Sequence, residues 1–235
     1  MKTTTTLLTA VFLTFTLTTA AQNKSGVDST GLPGDNFSLQ GALAMCKKAA
    51  SPEEFEKLIN QEDNGVNNLD LNEDGETDYI RVIDKAENDV HAFVLQVAIS
   101  EKENQDIAVI ELEKTGSTQA MIQIIGDEDI YGENVIVEPG DEGNAFIEMN
   151  EEVVTSGPYI DEATPGIIVN VWFWPSVRFV YGPVYRPYVS MWRWHHYPGW
   201  WRPWRPLRWY AFRPRFYHYH PSFVVVHTHR VVRAH

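Results

Sequence analysis

Five oxygen-bearing residues recur at alternate positions in one short stretch. Asp70, Asn72, Asp74, Glu76 and Asp78 stand at relative positions 1, 3, 5, 7 and 9 of the run Asp70-Leu71-Asn72-Glu73-Asp74-Gly75-Glu76-Thr77-Asp78. A hard divalent cation such as Ca²⁺ takes about six to eight oxygens at roughly 2.3 to 2.6 Å. A short chain segment delivers most of them when oxygens alternate and the backbone turns sharply midway. Here Asp70, Asn72, Asp74 and Asp78 offer side-chain oxygens, and Glu76 offers its backbone carbonyl. Gly75, at position 6, permits a turn that a Cβ would obstruct. Ile80 and Val82 then alternate inward and tie the loop to a strand. The expected cofactor is a structural Ca²⁺. The plainer reading is a solvated acidic turn held by Asx hydrogen bonds, which Asp, Asn and Gly also favour.

This stretch resembles the first nine positions of an EF-hand loop and of its dockerin version. It departs at position 12, where those families place an acidic ligand and this chain has Arg81. It is more similar to the calcium loops of FG-GAP-type β-propeller repeats, in which an Asp-x-Asn-x-Asp-Gly-x-x-Asp loop feeds directly into a strand. The resemblance implies calcium at Asp70, Asn72, Asp74, Glu76 and Asp78. One copy in the chain implies no propeller. As a whole the chain also resembles uncharacterised secreted bacterial proteins, a likeness that implies no activity.

Other reactive residue types are sparse before residue 166. Cys46 is the single cysteine, so no internal disulfide exists, and it reads as a small buried hydrophobe on a helix. His91 lies among strand residues and reads as a packed side chain. No Gly-x-Ser-x-Gly, His-Glu-x-x-His or phosphate loop occurs. The expectation is a non-enzymatic protein; a hydrolase acting through paired carboxylates is the remote alternative. Asp127-Glu128-Asp129 lacks alternate spacing and reads as a solvated turn. His218 with His220, and His227 with His229, form two His-x-His pairs. In a strand, residues i and i+2 share a side, so these pairs are candidates for Zn²⁺ or Cu²⁺.

The expected fold class is α+β: two helices, the calcium loop, then an antiparallel meander of about four strands. Ser38 caps a first helix running to about Ala49, with Leu39, Leu43 and Cys46 on one face. Ser51-Pro52-Glu53-Glu54 starts a second, with the cap, Pro at the first turn and a Glu reaching back. Its stripe is Phe55, Leu58 and Ile59, and it ends near Gln61, before the turn signal Asp63-Asn64-Gly65. Strands are expected over 79–83, 90–99, 107–113 and 119–125, with an edge strand at 135–137.

Chain ends and charge complete the plan. Lys2, an apolar run over residues 7–17 and Thr19-Ala20-Ala21 make a secretory signal peptide, residues 1–21, cleaved near Ala21. The expected compartment is secreted, periplasmic or cell-envelope. A flexible lead-in at 22–36, an acidic calcium-binding domain at 37–138 and an acidic linker at 139–165 follow. All 32 acidic residues precede Pro165, whereas residues 166–235 hold ten arginines and no lysine. With +10 in the tail and −13 in total, residues 1–165 carry −23. The tail also holds all eight tryptophans and eight of the thirteen prolines, which rules out long helices. An irregular or short-stranded tail is expected. Its arginine and tryptophan suit a membrane surface or an anionic envelope polymer, through residues 166–235, with nucleic acid the weaker partner. Its charge also suits contact with its own acidic domain.

Overall fold

In the computed structural model the described residues are 29–140, 146–147 and 168–231. The expected signal peptide at 1–21, the start of the expected lead-in and most of the expected linker at 139–165 lie outside them. The molecule is mixed α/β, built on a six-stranded antiparallel sheet. Two helices come first. Helix α1, Leu39–Lys48, starts where the Ser38 Oγ accepts from the Gly41 N–H at 3.0 Å. Helix α2, Pro52–Ile59, starts where the Ser51 Oγ accepts from the Glu54 N–H at 3.2 Å. Glu54 reaches back, but to the Ala50 N–H at 2.7 Å, one residue before the cap. Both satisfy donors that a helix start leaves orphaned. The apolar stripes of both helices are buried.

Four strands then run as a meander: β1 (Ile80–Glu87), β2 (Val90–Ala98), β3 (Asn104–Gly116) and β4 (Gln119–Gly126). A four-residue helix, α3 (Glu128–Tyr131), leads to β5 (Ile136–Pro139). A short pair, β6 (Phe146–Ile147) with β7 (Ile168–Val169), stands apart from the main sheet. Two more helices follow, α4 (Pro175–Val180) and α5 (Trp209–Phe216), then β8 (Phe223–Val226). Strand order is β1-β2-β3-β4-β5-β8.

Three sequence expectations need correction. The four expected meander strands and the expected strand near 135–137 are present, but the latter, β5, is not an edge, because β8 pairs along its other side and makes the sheet six-stranded. Residues 33–36 of the expected lead-in form a 3-10 turn, with Gly34 against the Tyr131 ring where a Cβ would come within 2.5 Å of Cδ1. Most consequentially, residues 168–231, expected to be irregular or short-stranded, hold two short strands but also two helices, and they pack into the core. Val171, Trp174, Val177, Val180 and Phe223 share one apolar core with Leu43, Phe55, Leu95 and Ile110. Proline breaks this half into short pieces, as its content requires, yet the pieces are packed.

The edge of β1 shows how the halves join. An open strand edge presents unpaired amides and carbonyls. Here Asn60 both donates to the Ile80 carbonyl and accepts from its N–H, at 2.7 and 2.8 Å. The Val82 N–H donates to Glu56 at 2.8 Å. Ser190 N–H donates to the Val82 carbonyl at 2.9 Å, and Asp84 N–H donates to the Tyr188 carbonyl at 2.7 Å. The segment 188–190 thus closes the edge. The opposite sheet face carries Glu111, Gln123 and Glu138, all buried. The C-terminal strap covers them: Arg230 N–H donates to the Gln123 Oε1 at 2.7 Å, and His229 Nε2 lies 2.5 Å from a Glu111 oxygen.

Candidate metal centre

The loop before β1 is closed at its neck. Asp78 N–H donates to the Leu69 carbonyl at 2.8 Å, and Asn67 Nδ2 donates to the Asp78 carbonyl at 2.8 Å. Inside the loop the side chains turn inward onto backbone amides. Asp70 accepts from the Asp74 N–H at 3.1 Å through one oxygen and from the Gly75 N–H at 3.0 Å through the other. Asn72 Oδ1 also accepts from the Asp74 N–H, at 2.9 Å. Asp74 accepts from the Glu76 N–H at 2.9 Å and from Asn72 Nδ2 at 3.1 Å. Asp78 accepts from the Leu71 N–H at 2.5 Å. Gly75 stands at φ 84° and Glu73 at φ 59°, both left-handed, so the sharp turn sits where the sequence placed it.

Electrostatics sharpen the picture. Asp78 is buried, and burial pushes its carboxyl up to about 6, with the Asp70 and Asp74 carboxylates adding to the rise. Three acids therefore face one another closely enough to oppose ionisation of the most buried one. Asp70, Asn72, Asp74 and Asp78 bond within one turn, while Glu76 is exposed and its N–H donates to Asp74. Among the described residues, no group of three or more His, Cys, Asp or Glu side chains is arranged to hold a metal ion. The Asp70, Asp74 and Asp78 carboxylates and the Asn72 amide oxygen instead accept from backbone N–H groups of the loop, the pattern of a turn held by Asx hydrogen bonds.

The other candidates sit elsewhere. Neither His-x-His pair lies in a strand. His218 and His220 belong to a 3-10 turn and its cap, and His227 and His229 follow the end of β8. His220 Nε2 is buried without a partner among the described residues, and burial lowers its basicity. Asp127 is a helix cap, accepting from the Asp129 N–H at 3.0 Å. Cys46 is buried, its thiol pushed up to about 12 by desolvation.

His91 is packed in β2, as its strand setting predicts, but two buried acids escaped the sequence reading. Asp84 lies 2.9 Å from His91 Nδ1 and also accepts from the Tyr185 hydroxyl at 2.7 Å. Glu56 accepts from the Tyr79 hydroxyl at 2.8 Å and the Ser190 hydroxyl at 3.0 Å. Both partners beyond residue 166 are over a hundred positions away in sequence, so no local spacing signals them.

Asp78 gives a pH test of the ion-free loop. Its folded-state pKa of about 6 exceeds the ordinary 3.8, so the folded chain holds this proton more tightly. Below the ordinary value the group is neutral in both states and has no effect. As pH rises from about 4 to about 6 the unfolded chain ionises first and stability falls. In chelator, Asp78→Asn should therefore raise neutral-pH stability by about 1 to 2 kcal/mol, an advantage that vanishes toward pH 4. Equal or lower stability of the variant in neutral denaturant melts would count against the convergence of these acids. The chain matches no protein-family model, no curated protein and no solved structure.

Proposed function

We propose that this is an exported, non-enzymatic calcium-binding module whose Arg- and Trp-rich half contacts the cell envelope or a partner. The observation that carries the calcium reading is the double acceptance by Asp70. Its two oxygens take the Asp74 and Gly75 amides and so fold the loop back on itself, which supports the reading by drawing Asp70 toward Asp74. Bound Ca²⁺ is a structural ion in this reading. It favours the ionised forms of Asp70, Asp74 and Asp78 and so offsets their mutual repulsion. Extracellular modules bind calcium at about 10⁻⁴ to 10⁻³ M, which suits an exported chain.

Calorimetric titration of the mature chain with calcium tests this. One site is expected, with a stability gain of roughly 2.7 kcal/mol when free calcium is a hundred times Kd. Asp74 is exposed, so Asp74→Ala should fold and lose that gain. Identical melting with calcium and with chelator would end the calcium reading.

The envelope reading rests on unspent charge. Arg178, Arg186, Arg193, Arg202, Arg205 and Arg208 are exposed, and none makes an ion pair among the described residues. Exposed Phe173, Met191 and Tyr210 lie in the same half. Each arginine near an anionic lipid surface is worth about 1 kcal/mol. Arg205→Gln with Arg208→Gln should weaken cosedimentation with anionic vesicles by roughly thirtyfold. Equal pelleting of both proteins, or equal pelleting with neutral vesicles, would remove the electrostatic contact.

A further inference from the structure

A cleft lies between α2 and the segment 188–200. Its volume is about 340 Å³, within the range of small-ligand sites. Its lining is of two kinds. Helix α2 gives exposed Glu53 and, one turn on, exposed Lys57. The C-terminal half gives Tyr188, Trp192 and Trp200, with Trp200 46% exposed. No aliphatic side chain lines it.

Tyr79 and Trp200 are held by their neighbours. Tyr79, also at the cleft, has its hydroxyl fixed on Glu56 and its ring 6.4 Å from that of Trp200. Lys57 Nζ stands 5.7 Å above the Trp200 ring. Holding aromatic faces in place before a ligand arrives lowers the ordering cost of binding.

Charge narrows the ligand class. Glu54 is engaged at the helix start through the Ala50 N–H. Glu56 is spent on Tyr79, Ser190 and Val82. The rim therefore carries two exposed carboxylates, Glu53 and Glu54, and one ammonium, Lys57. An anion would meet Glu53, and a cation would meet Lys57 already seated on the indole. A neutral polyhydroxy ring suits both. Its C–H face lies against an aromatic face, and its hydroxyls donate to Glu53 and accept from Lys57 and the indole or phenol groups.

We propose that this cleft binds a neutral saccharide, with Trp192 and Trp200 as the stacking surfaces and Glu53 and Lys57 as the polar contacts. The inference is independent of the calcium reading, since it uses no residue of the loop.

The test is a fluorescence and calorimetric titration of the full chain, with calcium present. The probes are soluble oligomers of glucose and of N-acetylglucosamine, with choline as the cationic control. At least one oligosaccharide should shift the tryptophan emission and titrate. Trp200→Ala and Trp192→Ala should each weaken it by about tenfold or more, at unchanged melting temperature. Trp200→Phe, which keeps a ring face, should restore most of the affinity, and Glu53→Gln should weaken it less than either loss of a ring. No titration by any of the sugars, titration by choline instead, or sugar binding indifferent to both tryptophans would overturn the proposal.

Discussion

A buried polar group must find a partner, and this fold meets that constraint across its own chemical divide. Asn68, Asp84, Glu56 and Gln123 all belong to the acidic half and are buried. Asn68 exchanges hydrogen bonds with Leu207, giving to its carbonyl at 2.9 Å and taking from its N–H at 2.7 Å. Asp84 takes the Tyr185 hydroxyl, Glu56 the Ser190 hydroxyl, and Gln123 the Arg230 N–H. Each such bond across the divide contributes about 0.5 to 1.5 kcal/mol, and more where the acceptor is a carboxylate. The basic half is therefore a structural component of the acidic half.

The same logic reaches the loop. Thr77, inside it, donates its N–H to the Trp204 carbonyl at 2.8 Å and its hydroxyl to the same oxygen at 2.9 Å. Tyr79, just after it, packs edge-on against Trp201 at 5.2 Å and beside Tyr197 at 5.8 Å. Anything that stiffens residues 70–78 is thereby coupled to the tryptophan run that follows Pro198. A cation in the loop would act on that run through one shared backbone oxygen and one ring cluster.

Local chemistry made much of the first half legible. Ser38, Ser51 and Pro52 mark helix starts through hydrogen bonds made within four residues, and period-two apolar runs mark β1 to β4 because alternation follows from strand geometry. Gly75 announced its turn through a need for positive φ. The second half was illegible for the opposite reason. Val171, Trp174 and Phe223 look like parts of an aromatic extension until Leu43 and Ile110 are seen beside them. β8 completes a sheet begun more than a hundred residues earlier, and Glu56 and Asp84 gain their meaning only from Ser190 and Tyr185. Proline density correctly excluded long helices but says nothing about whether short pieces pack.

The decisive measurement is native-state amide hydrogen exchange on the intact chain, read residue by residue. The amides of Ser190 and Leu207, in the basic half, bond to Val82 and Asn68 of the acidic half. If one cooperative core holds both halves, these two amides exchange as slowly as those of Val82 and Asp84 and share their denaturant dependence. Fast, denaturant-independent exchange at Ser190 and Leu207, with β1 to β4 still protected, would contradict the account.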